Sequence, residues 1–217
     1  MLFRNNYLHY FLLVFLSLLF AYEYNHFIQT DELMMQSLSG KYTEEIIGKI
    51  LNMRHTWQWL GYVFVPVLLY ITTTLIALAI FLVIWLYYLD DVNFKVRFSD
   101  TWRIVLFAQW SSIAAVFVRI VWFGVFHTHY SLEELQSFFP LSLIDLYDIK
   151  KIAVWYAYPL QLVNVFELIY WIILVVGIKK LLHRSWLKSF EMILPSYGVL
   201  MIVWVVAVMF ITLNLSH

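Results

Sequence analysis

The chain has 217 residues, of which 63% are hydrophobic, 20% are aromatic and 13% are charged, and its formal net charge is zero. Soluble domains are about 45–50% apolar and about 25% charged, so this composition excludes an ordinary soluble domain. The 14 basic and 14 acidic residues leave no positive surplus for nucleic acid, and the lack of cysteine excludes disulfides, thiol catalysis and cysteine-ligated metals. The composition indicates an integral membrane protein whose main surroundings are the lipid bilayer.

Five apolar segments each approach the roughly 20 residues that a helix needs to cross the hydrocarbon core of a bilayer. They predict an all-α fold, a polytopic membrane helix bundle of about five transmembrane helices that forms a single domain over residues 1–217. The approximate spans are 7–24, 60–88, 102–126, 155–178 and 192–213. The second span has no charge and is longer than a perpendicular crossing requires, so we expect it to tilt or to extend beyond the bilayer.

The first segment has a competing interpretation as a secretory signal peptide. It is short, it follows only Arg4, and Ala21 could lie at a cleavage site. Leu19 is nevertheless not the small residue expected two positions before such a site. We therefore expect a retained helix, with a cleaved signal peptide as the alternative.

The distribution of Lys and Arg predicts the orientation in the membrane. With the N-terminus in the cytoplasm, the cytoplasmic segments carry eight basic residues and the opposite side carries five, while Arg119 lies inside a span. The positive-inside rule then predicts a multi-pass protein of the cytoplasmic (inner) membrane, with its N-terminus inside and its C-terminus outside.

The two long external loops contain signals for short helices. Thr30 is a typical N-cap residue followed by two acidic residues, and a second amphipathic helix is predicted to begin after Thr43. In the other loop, Ser131 and Glu134 have the spacing of a capping box, before a helix that ends by Pro140. We expect these helices to lie along the membrane surface instead of forming a soluble domain.

A polar cluster is predicted inside the membrane between the third and fourth spans. Gln161, Asn164 and Glu167 recur at every third position and so share one face of a continuous helix, and Arg119 is expected at a similar depth. Charged groups near the middle of a bilayer face the bundle interior and find partners. We therefore expect Arg119 to contact Glu167 or Asn164, either as a structural pair or as part of a path for a substrate or protons.

Four histidines are predicted near the external face, namely His26, His55, His127 and His129. Neutral imidazole binds zinc, copper and haem iron, so a metal- or haem-binding role is an alternative. Their spacing matches no metal-ligand motif, and the chain has no nucleophile elbow and no phosphate-binding loop. We therefore predict no catalytic residues, no metal site and no cofactor.

The chain resembles the Yip1-domain family, especially its bacterial members. The link at 94–103 enters the third span with a phenylalanine-containing sequence, and Asn164-Val165-Phe166 precedes Gly177 by the family's distance of eleven residues. Arg184-Ser185 and Lys188-Ser189 are similar to the family's short basic link. The sequence departs from the family's pattern at Asn164, where Asp is usual, and at Glu167, which adds a charge.

The resemblance implies an integral membrane protein and does not by itself carry over the trafficking role of the eukaryotic members. We expect a non-enzymatic scaffold or subunit of a larger membrane complex, with other membrane proteins as partners. The alternatives are a permease-type transport component that uses Arg119, Asn164 and Glu167, or a haem- or metal-binding redox subunit.

Overall fold

The computed structural model describes residues 6–89, 95–147 and 152–215, and within these ranges it is helical without β-strands. Arg4 and Phe94 lie outside the described residues, as do Lys150 and Lys151, two of the five basic residues that were counted on the side opposite the cytoplasm. The nine α-helices of the described ranges are α1 (Asn6–Glu23), α2 (Asp31–Leu38), α3 (Glu44–Tyr87), α4 (Phe98–Val121), α5 (Leu132–Ser137), α6 (Val154–Leu162), α7 (Val165–Leu182), α8 (Trp186–Ile193) and α9 (Val199–Leu215).

Four helical segments are long and apolar enough to cross a membrane: Tyr7–Ile28, Glu44–Tyr87, Phe98–Phe126 and Trp186–Asn214. Three of them include a π-helical turn. Tyr24–Ile28 extends α1, Trp122–Phe126 extends α4, and Leu194–Gly198 joins α8 to α9. The prediction of an all-helical protein with several helices long and apolar enough to cross a membrane is confirmed in this form.

Helix α3 is much longer than the span predicted within it. Its 44 residues measure about 66 Å at 1.5 Å per residue, roughly twice the hydrocarbon thickness. The start after Thr43 agrees with the prediction, but the separate short helix expected there is wrong. Because no glycine or proline lies in 52–59, the helix continues into the apolar segment without a break.

The two other short helices form where the capping signals predict them. The Thr30 hydroxyl accepts a hydrogen bond from the Leu33 amide at 3.3 Å at the start of α2. Ser131 and Glu134 form a reciprocal capping box at the start of α5. The existence of α2 and α5 is therefore confirmed, while their position along the membrane surface stays a prediction.

The fourth predicted span, 155–178, is not one continuous helix. Helix α6 ends at Leu162 and α7 begins at Val165, because Asn164 acts as an N-cap. The Asn164 Oδ1 accepts the Glu167 amide at 2.8 Å, and its Nδ2 donates to the Gln161 and Leu162 carbonyls at 2.9 and 3.0 Å. An asparagine cap satisfies a free amide of the new helix, so the prediction of one uninterrupted helix is wrong.

A loop segment packs against this break and completes its hydrogen bonds. The Leu143 amide donates to the Val163 carbonyl at 3.0 Å, and the Val165 amide donates to the Leu141 carbonyl at 3.2 Å. Asp145 accepts hydrogen bonds that begin the short 3₁₀ turn of this loop. Burial raises the pKa of the Asp145 carboxyl above its ordinary value, although the hydrogen bonds from Ser142 oppose the shift.

The bundle has two ends of opposite charge. At the acidic end, the C-terminal turns of α1 and α4 meet α5 through Ile28, Phe123 and Leu135; the described residues there include eight acidic and four basic side chains. At the basic end, Arg184 after α7 donates to the Tyr88 hydroxyl after α3 at 3.0 Å. The described residues of this end include seven basic and two acidic side chains.

The main core lies between α3, α4, α7 and the α8–α9 junction. Its fully buried side chains include Ile80, Val105, Leu174 and Ile193. Helices α4 and α7 approach so closely that a Cβ built on Gly177 would overlap with the Ile104 side chain. Glycine at 177 is therefore required by the distance between two helices and not by its backbone conformation.

We predict that Gly177→Ala destabilises the protein by about 1–3 kcal/mol, because the added methyl group overpacks the contact with Ile104. The matched control is Gly61→Ala in α3, where nothing lies within 4 Å of the new methyl group. The control is expected to be neutral or to stabilise by up to about 1 kcal/mol through helix propensity. Thermal unfolding in the same detergent compares them, and equal stability of the two variants would contradict the packing argument.

Candidate functional site

Arg119 faces the acidic end of the bundle and not α7. Its Nη2 donates to the Leu135 carbonyl of α5, and its guanidinium carbon lies 5.2 Å from the centroid of the Tyr24 ring. Its Nε is buried without a hydrogen-bond partner among the described residues. The predicted contact of Arg119 with Asn164 or Glu167 is therefore wrong, because the side chain leaves α4 on the side that faces α1 and α5.

Gln161 also contacts this short helix, α5. Its Nε2 donates to the Ser137 carbonyl at 2.8 Å. The last carbonyls of a helix have no partner within the helix, and positive charge is favourable there. Arg119 and Gln161 thus both stabilise the C-terminal turn of α5. They bind different carbonyls of this helix and have a structural role.

Asn164 and Glu167 do not continue a polar stripe with Gln161. The helix break lies between Gln161 and Glu167, and the Asn164 side chain is used for the N-cap. Glu167 instead accepts a hydrogen bond from the Tyr197 hydroxyl at 2.6 Å, across the gap between α7 and the turn before α9.

Glu167 forms part of the wall of a cavity of about 450 Å³. Residues of α3, α4, α6, α7 and the α8–α9 segment surround it. Its polar side chains are Thr72, Gln109, Ser112, Tyr158, Glu167, Tyr170 and Tyr197, and the indole of Trp204 also contributes. This volume lies within the range of about 300–1,000 Å³ that is typical of small-molecule sites.

The aromatic groups of the cavity are positioned by hydrogen bonds and ring contacts. The Trp204 indole donates to the Tyr158 hydroxyl at 2.7 Å, which fixes α6 against α9. The Tyr170 and Tyr197 rings are 5.0 Å apart. The Tyr170 hydroxyl is buried and has no hydrogen-bond partner among the described residues. A buried hydroxyl without a partner costs free energy, which a ligand can recover.

Several residues of this cavity were not found by sequence reasoning. Tyr170 follows Glu167 by three positions and shares its helix face, so the polar spacing could have been extended to it. Gln109 and Tyr197 come from other helices, and no local pattern connects them with Glu167. Their approach depends on packing between α4, α7 and the turn before α9.

The four predicted histidines have different neighbours in the structure, and His129 Nδ1 lies 3.4 Å from the Thr128 hydroxyl. His55 lies 2.9 Å from an Asp31 carboxylate oxygen, and His127 lies 3.8 Å from Glu134. The His26 ring stacks on Tyr22. In the described ranges, no group of three or more histidine, aspartate or glutamate side chains is arranged to bind a metal ion.

Comparison with known proteins gives no family for this chain, since no family model, curated protein or solved structure matches it. The resemblance to the Yip1-domain family stays a prediction.

We predict that Arg119→Leu and Glu167→Gln have additive effects on the free energy of unfolding, within about 0.5 kcal/mol, because the two side chains share no partner. By contrast, Glu167→Gln and Tyr197→Phe are expected to couple by about 0.5–3 kcal/mol, because Glu167→Gln removes the negative charge from the acceptor of the same hydrogen bond that Tyr197→Phe deletes. Reversible unfolding in detergent measures both double-mutant cycles. Strong coupling in the first cycle and none in the second would contradict the described geometry.

Proposed function

We propose that the protein is a permease-type membrane component that binds a small lipophilic cation beside Glu167. The observation that carries the proposal is a carboxylate on the wall of a cavity whose described lining contains no Lys, Arg or His. A carboxylate inside a membrane bundle is costly unless a proton or another cation accompanies it. A solute that brings its own positive charge supplies this partner.

The remaining walls of the cavity suit the same class of ligand. Faces of aromatic rings attract cations, and Tyr158, Tyr170 and Trp204 line the same cavity as the carboxylate. Aliphatic side chains such as Leu75, Leu200 and Met201 complete the lining. The cavity therefore combines one negative group with an apolar and aromatic surface, which favours an organic cation over a hydrated metal ion.

The proposal includes a route of entry from the bilayer. Thr72, Leu75 and Trp204 are all exposed where α3 and α9 border the cavity. A lipophilic solute dissolved in the membrane can enter between these two helices without crossing water. Such a site fits a permease-type component better than a scaffold, because a scaffold has no need of an accessible carboxylate.

The proposed arrangement in the membrane counts five crossings. Four are the long apolar helices, and the fifth is α6 followed by α7, interrupted at Asn164. The excess of basic side chains at the end that carries Arg103 and Arg184 supports placing that end in the cytoplasm, with the N-terminus inside and the C-terminus outside. A cytoplasmic membrane and association with other membrane proteins are part of the same proposal, and no enzymatic step is assigned.

Binding of two ions of similar shape tests the proposal. Tetraphenylphosphonium is a lipophilic cation, and tetraphenylborate is an anion of nearly the same size. We predict that the protein in nanodiscs binds the cation above the level of empty nanodiscs, and that Glu167→Gln weakens this binding about tenfold or more, a loss of at least about 1.4 kcal/mol. Equilibrium dialysis measures both ions.

The matched control is Glu191→Gln, which makes the same chemical change at an exposed position of α8 outside the cavity. This variant is expected to bind the cation like the unchanged protein. Equal binding of both ions, or unchanged binding after Glu167→Gln, would contradict the proposal.

A further inference from the structure

A second cavity lies in the basic half of the bundle, separate from the cavity of Glu167. It has a volume of about 610 Å³ and is bordered by α1, α4 and α7. Its lining shares no residue with the first cavity. The two cavities therefore require separate explanations.

The second cavity is strongly asymmetric in polarity. Three side chains that can carry positive charge, His9, Arg103 and Lys180, come from three different helices. The other lining residues are aliphatic side chains, Phe107 and Gly177, and no Asp or Glu is among the described lining residues. The charge of this cavity is thus complementary to an anion with an apolar body.

The charged and apolar lining residues of this cavity are separated along the helix axes. Along α7, Lys180 lies toward the basic end, while Ile172 lies eight residues closer to the helix start, which is about 12 Å. Helix α4 runs antiparallel to α7, and the two helices are in close contact at Gly177 and Ile104. Along α4, Arg103 therefore lies nearer the basic end than the apolar side chains of Leu106 and Phe107. The cations therefore lie at one end of an apolar groove that runs parallel to the helices.

We infer that this cavity is a binding site for an anionic glycerophospholipid of the leaflet at the basic end. A lipid in a bilayer has the same arrangement, with its phosphate at the interface and its acyl chains parallel to the helices. Basic pockets between transmembrane helices bind such headgroups, at roughly 1 kcal/mol for each Lys or Arg near the surface. A free phosphate ion would bind to the cationic side chains but would leave the apolar groove without an occupant.

The surroundings of the cavity favour the same occupant. Lys95, Arg97, Lys179, Arg184 and Lys188 lie at the same end of the bundle. Lys179 lies over the Trp186 ring, with its Nζ 4.7 Å from the ring centroid, an arrangement typical of the membrane interface. These charges raise the local concentration of anionic lipid around the cavity.

Native mass spectrometry of the delipidated protein tests the inference with three probes. They are phosphatidylglycerol, phosphatidylcholine with identical acyl chains, and glycerol 3-phosphate. Two cations acting together predict about a 30-fold preference for phosphatidylglycerol over phosphatidylcholine, with no measurable binding of glycerol 3-phosphate. Equal binding of both lipids would contradict an anionic-lipid site, and tight binding of glycerol 3-phosphate would show a phosphate site instead.

Two sets of variants separate the cavity from the general charge of this end. Arg103→Gln/Lys180→Gln is expected to abolish the preference for phosphatidylglycerol, whereas Lys95→Gln/Lys188→Gln makes the same charge change outside the cavity and is expected to preserve it. All four positions are exposed, so folding is expected to continue in both variants. Equal loss in both variants would overturn the assignment to this cavity.

Val176→Trp keeps the cations and fills the apolar part of the groove. It is expected to weaken binding of both lipids about tenfold while the thermal unfolding profile stays cooperative. Unchanged lipid binding in this variant would show that acyl chains do not occupy the cavity. Because the readout uses no lipophilic cation, its outcome is independent of the site at Glu167.

Discussion

The helix break at Asn164 is the constraint on which the arrangement of the bundle depends. Inside a bilayer every free backbone amide and carbonyl needs a partner, so a break is stable only where other groups supply those partners. Here the Asn164 side chain and the loop at 141–143 supply them. The break separates α6, which packs on α9, from α7, which packs on α4 and α8. The cavity of Glu167 lies where α6, α7 and α9 meet α3 and α4.

Two arginines bind backbone carbonyls at helix ends. At the acidic end, Arg54 donates to the Asn25 and Gln29 carbonyls at 3.3 and 2.6 Å, beyond the last turns of α1, while Arg119 donates to the Leu135 carbonyl of α5. Both guanidinium groups donate hydrogen bonds to carbonyls near helix ends, where the last carbonyls have no partner within the helix. Arg119 thus has a structural role, whereas Glu167 has no basic partner among the described residues.

Much of the fold follows from local signals in the sequence. Hydropathy identifies the long helices, and the caps at Thr30 and Ser131 predict α2 and α5. The break at Asn164 carried a similar signal, because Asn164 and Glu167 have the spacing of an N-cap and its third residue. The long apolar sequence on both sides of these residues favoured the prediction of one continuous span instead. The direction of Arg119 and the approach of Tyr197 to Glu167 were not predictable, since they depend on how whole helices rotate and pack.

If the cavity binds a cation as proposed, the Glu167 carboxyl group itself meets that cation. Infrared difference spectroscopy on adding tetraphenylphosphonium observes this contact, because it records the carboxyl vibration. We expect a carboxyl difference band that is present in the unchanged protein and in Glu191→Gln but absent in Glu167→Gln. A spectrum without a carboxyl band, or one that persists in Glu167→Gln, would contradict it.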